Sequence, residues 1–216
     1  MKFTERNPIL ILYQKIIKLL KKILLTLILA ILSFAHLNNH KYNSKHKLED
    51  SADYQNTFIR AKEFIKLINP NLSEQQVNQI VRWNLLFAQE YNCDINLALA
   101  IQATETHFDW QRKSKKGAIS IWQIMPINLK RICKLQGWNY SLINFSSFDS
   151  LQKQIEAGYI WLNMLNKKHK SNQEVILCEW NSGTKFLSKS KVNRHIIHVE
   201  TKNFINQVKI NYSRLS

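Results

Sequence analysis

Glu105 closes the run Ile95-Asn-Leu-Ala-Leu-Ala-Ile-Gln-Ala-Thr104 and has Ile101, Ala103, Thr104, Phe108 and Trp110 around it. An ionised carboxylate among such neighbours is costly unless it is paired, so its pKa should rise. A carboxyl that keeps its proton near neutral pH is what a general acid for glycosidic cleavage requires. The ordinary alternative is a side chain that leaves the helix end for solvent or pairs with Arg112 or Lys113. On this residue alone both readings stand.

The elements that must position it are helices. Ser73-Glu-Gln-Gln76 reads as a capping box, opening a helix with the apolar stripe Val77, Ile80, Val81, Leu85, Leu86 and Ala88. Asn92-Cys93-Asp94 breaks that helix, and Asp94 can cap the next, from Ile95 to about His107. Apolar on nearly every face, this second helix must be central. Further helices are expected near Pro126–Leu135, Ser150–Leu165, Asn172–Trp180 and Glu200–Tyr212, with one more around Tyr54 to Leu67. Gly 4 and Pro 3 are far below ordinary usage, which argues against turn-rich sandwiches, barrels and Gly-cradled nucleotide folds. No long alternating strand is visible, and the fold class is mainly α.

Nine residues after Glu105 comes Ser114-Lys-Lys-Gly117-Ala118-Ile-Ser-Ile-Trp122-Gln123-Ile-Met-Pro126, and much later Trp180-Asn181-Ser182-Gly183 and Glu200-Thr201-Lys-Asn-Phe204. This order and spacing resembles the soluble-lytic-transglycosylase family of the lysozyme superfamily, over roughly residues 72–212. That family shows Glu-Ser-x-Phe, Ser-x-x-Gly-Ala-x-Gly-Leu-Met-Gln-x-x-Pro, Ala-Tyr-Asn-Ala-Gly and Glu-Thr-x-x-Tyr. Each block alone is weak; four in order with the right gaps are specific.

The resemblance implies a lysozyme-like helical domain of the goose-type or lytic-transglycosylase kind. It implies Glu105 as sole acid/base, cleaving the β-1,4 bond between N-acetylmuramic acid and N-acetylglucosamine in peptidoglycan with a 1,6-anhydro product. Ser114, Gln123 and Asn181 then match residues lining the sugar cleft. Gly117 and Ala118 match a tight segment where a side chain would block the glycan. Glu200 and Thr201 match a pair with a structural role. Four positions depart from the family pattern. Ser120 stands for Gly, and Trp122 for Met, giving a bulkier wall with an aromatic ring able to stack on a sugar. Trp180 stands for the Tyr before the Asn, another contact expected for substrate, and Phe204 for the last Tyr, losing a hydroxyl that could bond Glu105. A hydrolytic muramidase of the same fold would need a further carboxylate to hold water. Asp109 and Glu179 are the candidates near the motifs, with Glu179 expected to be a solvated side chain. A wall-binding protein with weakened activity is the non-enzymatic alternative.

Other residues carry less. His195-Ile-Ile-His198 has helical spacing but no third ligand, so no metal is expected, and no cofactor. Cys93, Cys133 and Cys178 allow at most one disulfide, Cys93 with Cys178, and unpaired buried thiols are the commoner outcome. Trp138, Tyr159 and Trp161 read as core. Arg112, Lys113, Lys115, Lys116, Lys130 and Arg131 either meet the stem-peptide carboxylates of the wall or form a solvated basic face.

Lys15, Lys18, Lys21 and Lys22 precede the uncharged run Ile23–Ala35, the length of a signal-peptide apolar region and short of the ~20 residues that span a bilayer. Ser33-Phe34-Ala35 fits a cleavage site, while Ile9–Leu12 and Ile16-Ile17 extend the apolar character toward an anchor. Residues 1–37 are therefore expected to be a signal peptide or membrane anchor, 38–70 a polar linker with one possible helix, and 71–213 the catalytic domain. The chain should act outside the cytoplasm, in the periplasm or cell envelope, tethered to the inner membrane if the signal is uncut. The 216 residues hold 31 Lys+Arg against 15 Asp+Glu. Residues 1–50 contribute 9 basic and 3 acidic side chains (+6), which leaves +10 for the remainder of the formal +16. So basic a domain expects an anionic partner. Export points to peptidoglycan strands and the membrane rather than nucleic acid, and, by analogy alone, to a secretion or conjugation complex.

Overall fold

The computed structural model describes residues 51–183 and 199–215, with a few single positions between Lys22 and Ser33, which are helical. Most of the expected export segment, the stretch 38–50 and the His195/His198 pair lie outside the described residues. Among those described, no helix is long and apolar enough to cross a membrane. The backbone groups into two units, Met1–Gln55 and Asn56–Ser216.

The described helices are α1 (Ala52–Ile68), α2 (Glu74–Glu90), α3 (Ile95–Thr106), α4 (Pro126–Gln136), α5 (Leu151–His169), α6 (Gln173–Ser182) and α7 (Val199–Ser213), with 3-10 turns at Tyr140–Leu142 and Phe148–Ser150. The single β-bridge among them joins Ile119 to Ile124. The stretch read as a polar linker is helical from Ala52, and Ala61, Phe64 and Ile65 on α1 are buried. Spacing explains it, since these positions fall on one face at three- and four-residue intervals.

The boundaries follow local chemistry. Ser73 accepts from the Gln76 amide while the Gln76 side chain accepts from the Ser73 amide, both halves of the capping box. A cap of this kind is worth about 1 kcal/mol. Asp94 caps α3 through the amides of Asn96 and Leu97, and its other oxygen accepts from the Tyr212 hydroxyl at 2.8 Å. Pro126 opens α4, where its missing N–H costs nothing, and Gly137 ends it with φ 67°.

Helix α3 is the centre. Its residues Leu97 to Ala103 are all buried, and it packs most extensively on α7 and also on α2. A buried polar set fixes its register: Gln102 donates to Asn84 Oδ1 at 2.6 Å, and the Tyr159 hydroxyl donates to the same oxygen at 3.0 Å. Asn84 also donates to the Ile80 carbonyl. These bonds tie α2, α3 and α5 through groups that would be expensive to leave unmade. At the far end Asn211 donates to Thr104, so α7 grips the turn of α3 that carries Glu105.

Candidate active site

Helix α3 ends one residue after Glu105. His107 and Phe108 take left-handed conformations (φ 55° and 63°), which turn the chain out of the helix. Asn69 holds the His107 carbonyl, and Phe108 is sealed in the core edge-on to Phe64. Glu105 is thereby fixed at a helix terminus, half-buried. Burial pushes its carboxyl up to about 8, against the opposing pull of a Trp180 hydrogen bond and the Arg112 charge. The last helical turn, where carbonyl dipoles disfavour negative charge, acts in the same direction as burial.

The partner on Glu105 is Trp180, whose Nε1 donates to Oε1 at 3.1 Å. Trp180, expected as a substrate contact, is half-buried and bonded to the acid. It also supplies a bond where Phe204, buried in the core, has no hydroxyl to offer. Behind Trp180 stands Trp122, ring centroids 5.5 Å apart. Trp122 is fully buried, so the expectation of a ring stacking on a sugar is corrected. Its indole lies edge-on to Tyr159 and directly over Gly158, where an added Cβ would come within 2.0 Å of the ring. Gly158 is the notch in α5 that admits a large residue in place of the family Met. A glycine in the middle of a helical pattern commonly has such a packing reason, and that is the signal by which it could have been found.

Residues 107–125 form the wall beside the acid. Ser114 accepts from the Ala118 amide through its Oγ and donates from its own amide to the Ala118 carbonyl, both at 2.9 Å. Its visible work is to close the turn. Gly117 sits at φ 86°, and nothing beyond its chain neighbours lies within 4 Å of where a Cβ would stand, so the backbone angle and not crowding requires glycine there. Ala118 is buried. Ser120, where the family has Gly, holds φ 74°, and Gln123 holds φ 51°. The Gln123 side-chain amide nitrogen donates to the carbonyls of Arg112 and Ser120. The loop is pinned from two sides: Thr106 donates to the Ile121 carbonyl at 3.0 Å, and the Ile121 amide donates to Gln154 on α5. Neither Thr106 nor Gln154 stands out in the sequence, because each acts mainly through bonds to backbone groups.

Asn181, next to Trp180, accepts from the Thr201 hydroxyl at 2.9 Å, which joins α6 to α7. Thr201 is buried, in keeping with a structural role. Asp109 is exposed and accepts from the Gln111 amide in the turn after α3. Glu179 departs from expectation: it is buried, not solvated, with Lys168 at 2.7 Å and His169 against its two oxygens. All three cysteines are free thiols. Trp138 and Trp161 are half-buried against the core, and Tyr159 is wholly inside it. No group of three or more metal-ligating side chains occurs among the described residues.

A family model, the Transglycosylase SLT domain, matches residues 86–200, just over half of the chain, and takes in Glu105, the 114–126 segment and Trp180-Asn181. The chain belongs to this SLT family. The matched residues fall within the helical architecture described above. No curated protein matches the sequence. Among solved structures this SLT domain is similar to an inactive mutant of the lytic transglycosylase Slt from Pseudomonas aeruginosa, at 20% identity and a TM-score of 0.49. That likeness covers 60% of this chain and 22% of the Pseudomonas chain, so this protein spans about a fifth of its length.

Proposed function

We propose that the protein is a peptidoglycan lytic transglycosylase with Glu105 as its one acid/base. The observation that carries this reading is the state of Glu105. Its carboxyl keeps a proton to about pH 8 and accepts from one indole N–H, while the other two carboxylates near the motifs are committed elsewhere. Asp109 is exposed in a turn, and Glu179 is locked to Lys168 and His169. SLT membership supports the substrate class.

In this reading Glu105-COOH protonates the glycosidic oxygen as an oxocarbenium-like centre develops at C1 of the muramoyl unit, the substrate's 2-acetamido oxygen absorbing the charge. Glu105-COO⁻ then takes the proton of the muramoyl C6 hydroxyl, whose oxygen bonds to C1. The ring closes as a 1,6-anhydro end, no water is consumed, and the acid is restored. Trp180 steadies the carboxylate between the steps. A group that gives and then takes the same proton works best with a pKa near the operating pH. Gln123, and Ser114 and Asn181 on the flanking segments, are the proposed sugar contacts. Residues 1–37 are proposed to export the chain to the cell envelope, cleaved or retained as an anchor.

The test uses the purified chain and its Glu105→Gln variant on isolated sacculi, the released muropeptides being weighed by mass spectrometry. Anhydro ends from wild type and about a hundred- to ten-thousandfold less from Glu105→Gln are expected. Reducing ends identify a muramidase instead. Sedimentation with sacculi and no release identifies a binding protein. Export is checked separately: alkaline phosphatase fused after Ser216 should be active in a bacterial host and silent once residues 1–37 are removed.

A further inference from the structure

The positive charge is unevenly laid along the chain. Between Asp109 and Asp149 there is no Asp or Glu, yet Arg112, Lys113, Lys115, Lys116, Lys130, Arg131 and Lys134 all lie there. This stretch holds +7 of the +10 carried by residues 51–216. The first four belong to the loop that walls Glu105, and Arg112 already acts on that carboxyl. The last three are on α4.

Helix α4 buries Leu129, Ile132 and Cys133. At 100° per residue, Ile127, Lys130, Arg131, Lys134 and Leu135 fall together on the opposite arc, about 140° wide. The structure leaves this arc bare, with Ile127 74% and Leu135 60% exposed. Adjoining it is the 3-10 turn Tyr140–Leu142, which packs on α4, brings Tyr140 under Lys130 at 5.5 Å, and leaves Leu142 81% exposed. Large aliphatic side chains this bare are ordinarily scattered singly. Here three cluster with three cations and a tyrosine. A sugar polymer or an acidic peptide would use the cations and leave the aliphatic tips in water. An anionic lipid surface uses both: headgroup phosphates pair with the lysines and arginine while Ile, Leu and Tyr enter the headgroup boundary.

We infer that the exposed face of α4 with Leu142 is a docking surface for an anionic lipid bilayer, separate from the substrate contacts. Because α4 begins three residues after Gln123, docking holds the wall of the catalytic recess at a fixed distance from the membrane. The inference stands whether or not the chain is a transglycosylase.

The test uses the full chain carrying Ser141→Cys, an exposed position beside Leu142, labelled with an environment-sensitive maleimide dye at neutral pH. Burial raises the thiols of all three native cysteines, Cys93 to about 11, so the dye selects the exposed site. The protein is bound to vesicles of phosphatidylcholine alone or with about one third phosphatidylglycerol, so that any N-terminal insertion is common to both. Blue-shifted emission with severalfold higher intensity is expected only on the anionic vesicles. It should fall in high salt, and be lost in Lys130→Glu/Arg131→Glu/Lys134→Glu and in Ile127→Ser/Leu135→Ser/Leu142→Ser, each checked for unchanged circular dichroism. High salt tests the wild-type face without any substitution. Equal emission on both vesicle types overturns the inference, and a shift seen only on adding sacculi replaces it with a wall-docking surface.

Discussion

At Glu105 the raised pKa makes both catalysis and stability fall as pH rises. With its pKa at about 8, the acid form dominates below that pH. The initial rate on sacculi should therefore be nearly flat up to pH 7 and fall about tenfold per pH unit well above 8. Trp180→Phe removes an N–H that favours the carboxylate, so the alkaline limb should move upward while the maximal rate drops about ten- to a hundredfold, a pH profile being the measurement. For folding, the native carboxyl binds its proton more tightly than the unfolded one. Its contribution is thus fully present below about pH 4.5 and lost progressively as pH rises to 8. Glu105→Gln should melt higher than wild type at pH 8 and about equally at pH 4, as read by circular dichroism. Ser120 is a second residue under tension. Its left-handed φ of 74° costs a side-chain-bearing residue about 1 kcal/mol. Ser120→Gly, although it loses the Oγ bond to the Trp122 amide, should raise the melting temperature by a few degrees.

Three helix starts were legible because they are announced chemically: Ser73 with Gln76, Asp94 and Pro126 mark starts that the structure reproduces within a residue or two. Glu105 was legible as an acid because an apolar helix leading into it needs no tertiary knowledge. The roles of its neighbours were not. Trp122 read as a sugar platform and the bond of Trp180 to Glu105 went unread, since aromatic residues near a cleft motif do not reveal what they touch. Glu179 read as solvated because its partners Lys168 and His169 sit on another helix. What decides all three is how α5 and α6 meet, a long-range fact. That meeting makes a sharp prediction. Gly158→Ala should destabilise the protein by about 1–3 kcal/mol, measured by chemical denaturation, because its methyl enters the Trp122 ring. In a Trp122→Met background the same change should be neutral or stabilising, as alanine favours a helix by about 1 kcal/mol over glycine.

Over the whole molecule, charge separates into working districts. Residues 110–148, which hold α4 and most of the wall, carry no acidic side chain, while Glu179 is paired with Lys168 and His169 where α5 meets α6. Attraction to a carboxylate-bearing polymer such as the proposed peptidoglycan substrate would be long-range and screened by salt. Retention on sacculi should fall severalfold between about 0.05 M and 0.5 M salt, when the screening length shrinks from roughly 14 to 4 Å. The Trp122–Gly158 contact has one more consequence, for ancestry. Indole and bare helix backbone fit each other, so a lineage that acquired the tryptophan before losing the side chain at 158 would carry a strain of about 1–3 kcal/mol in between. Losing that side chain first avoids the strain and is the easier order of events.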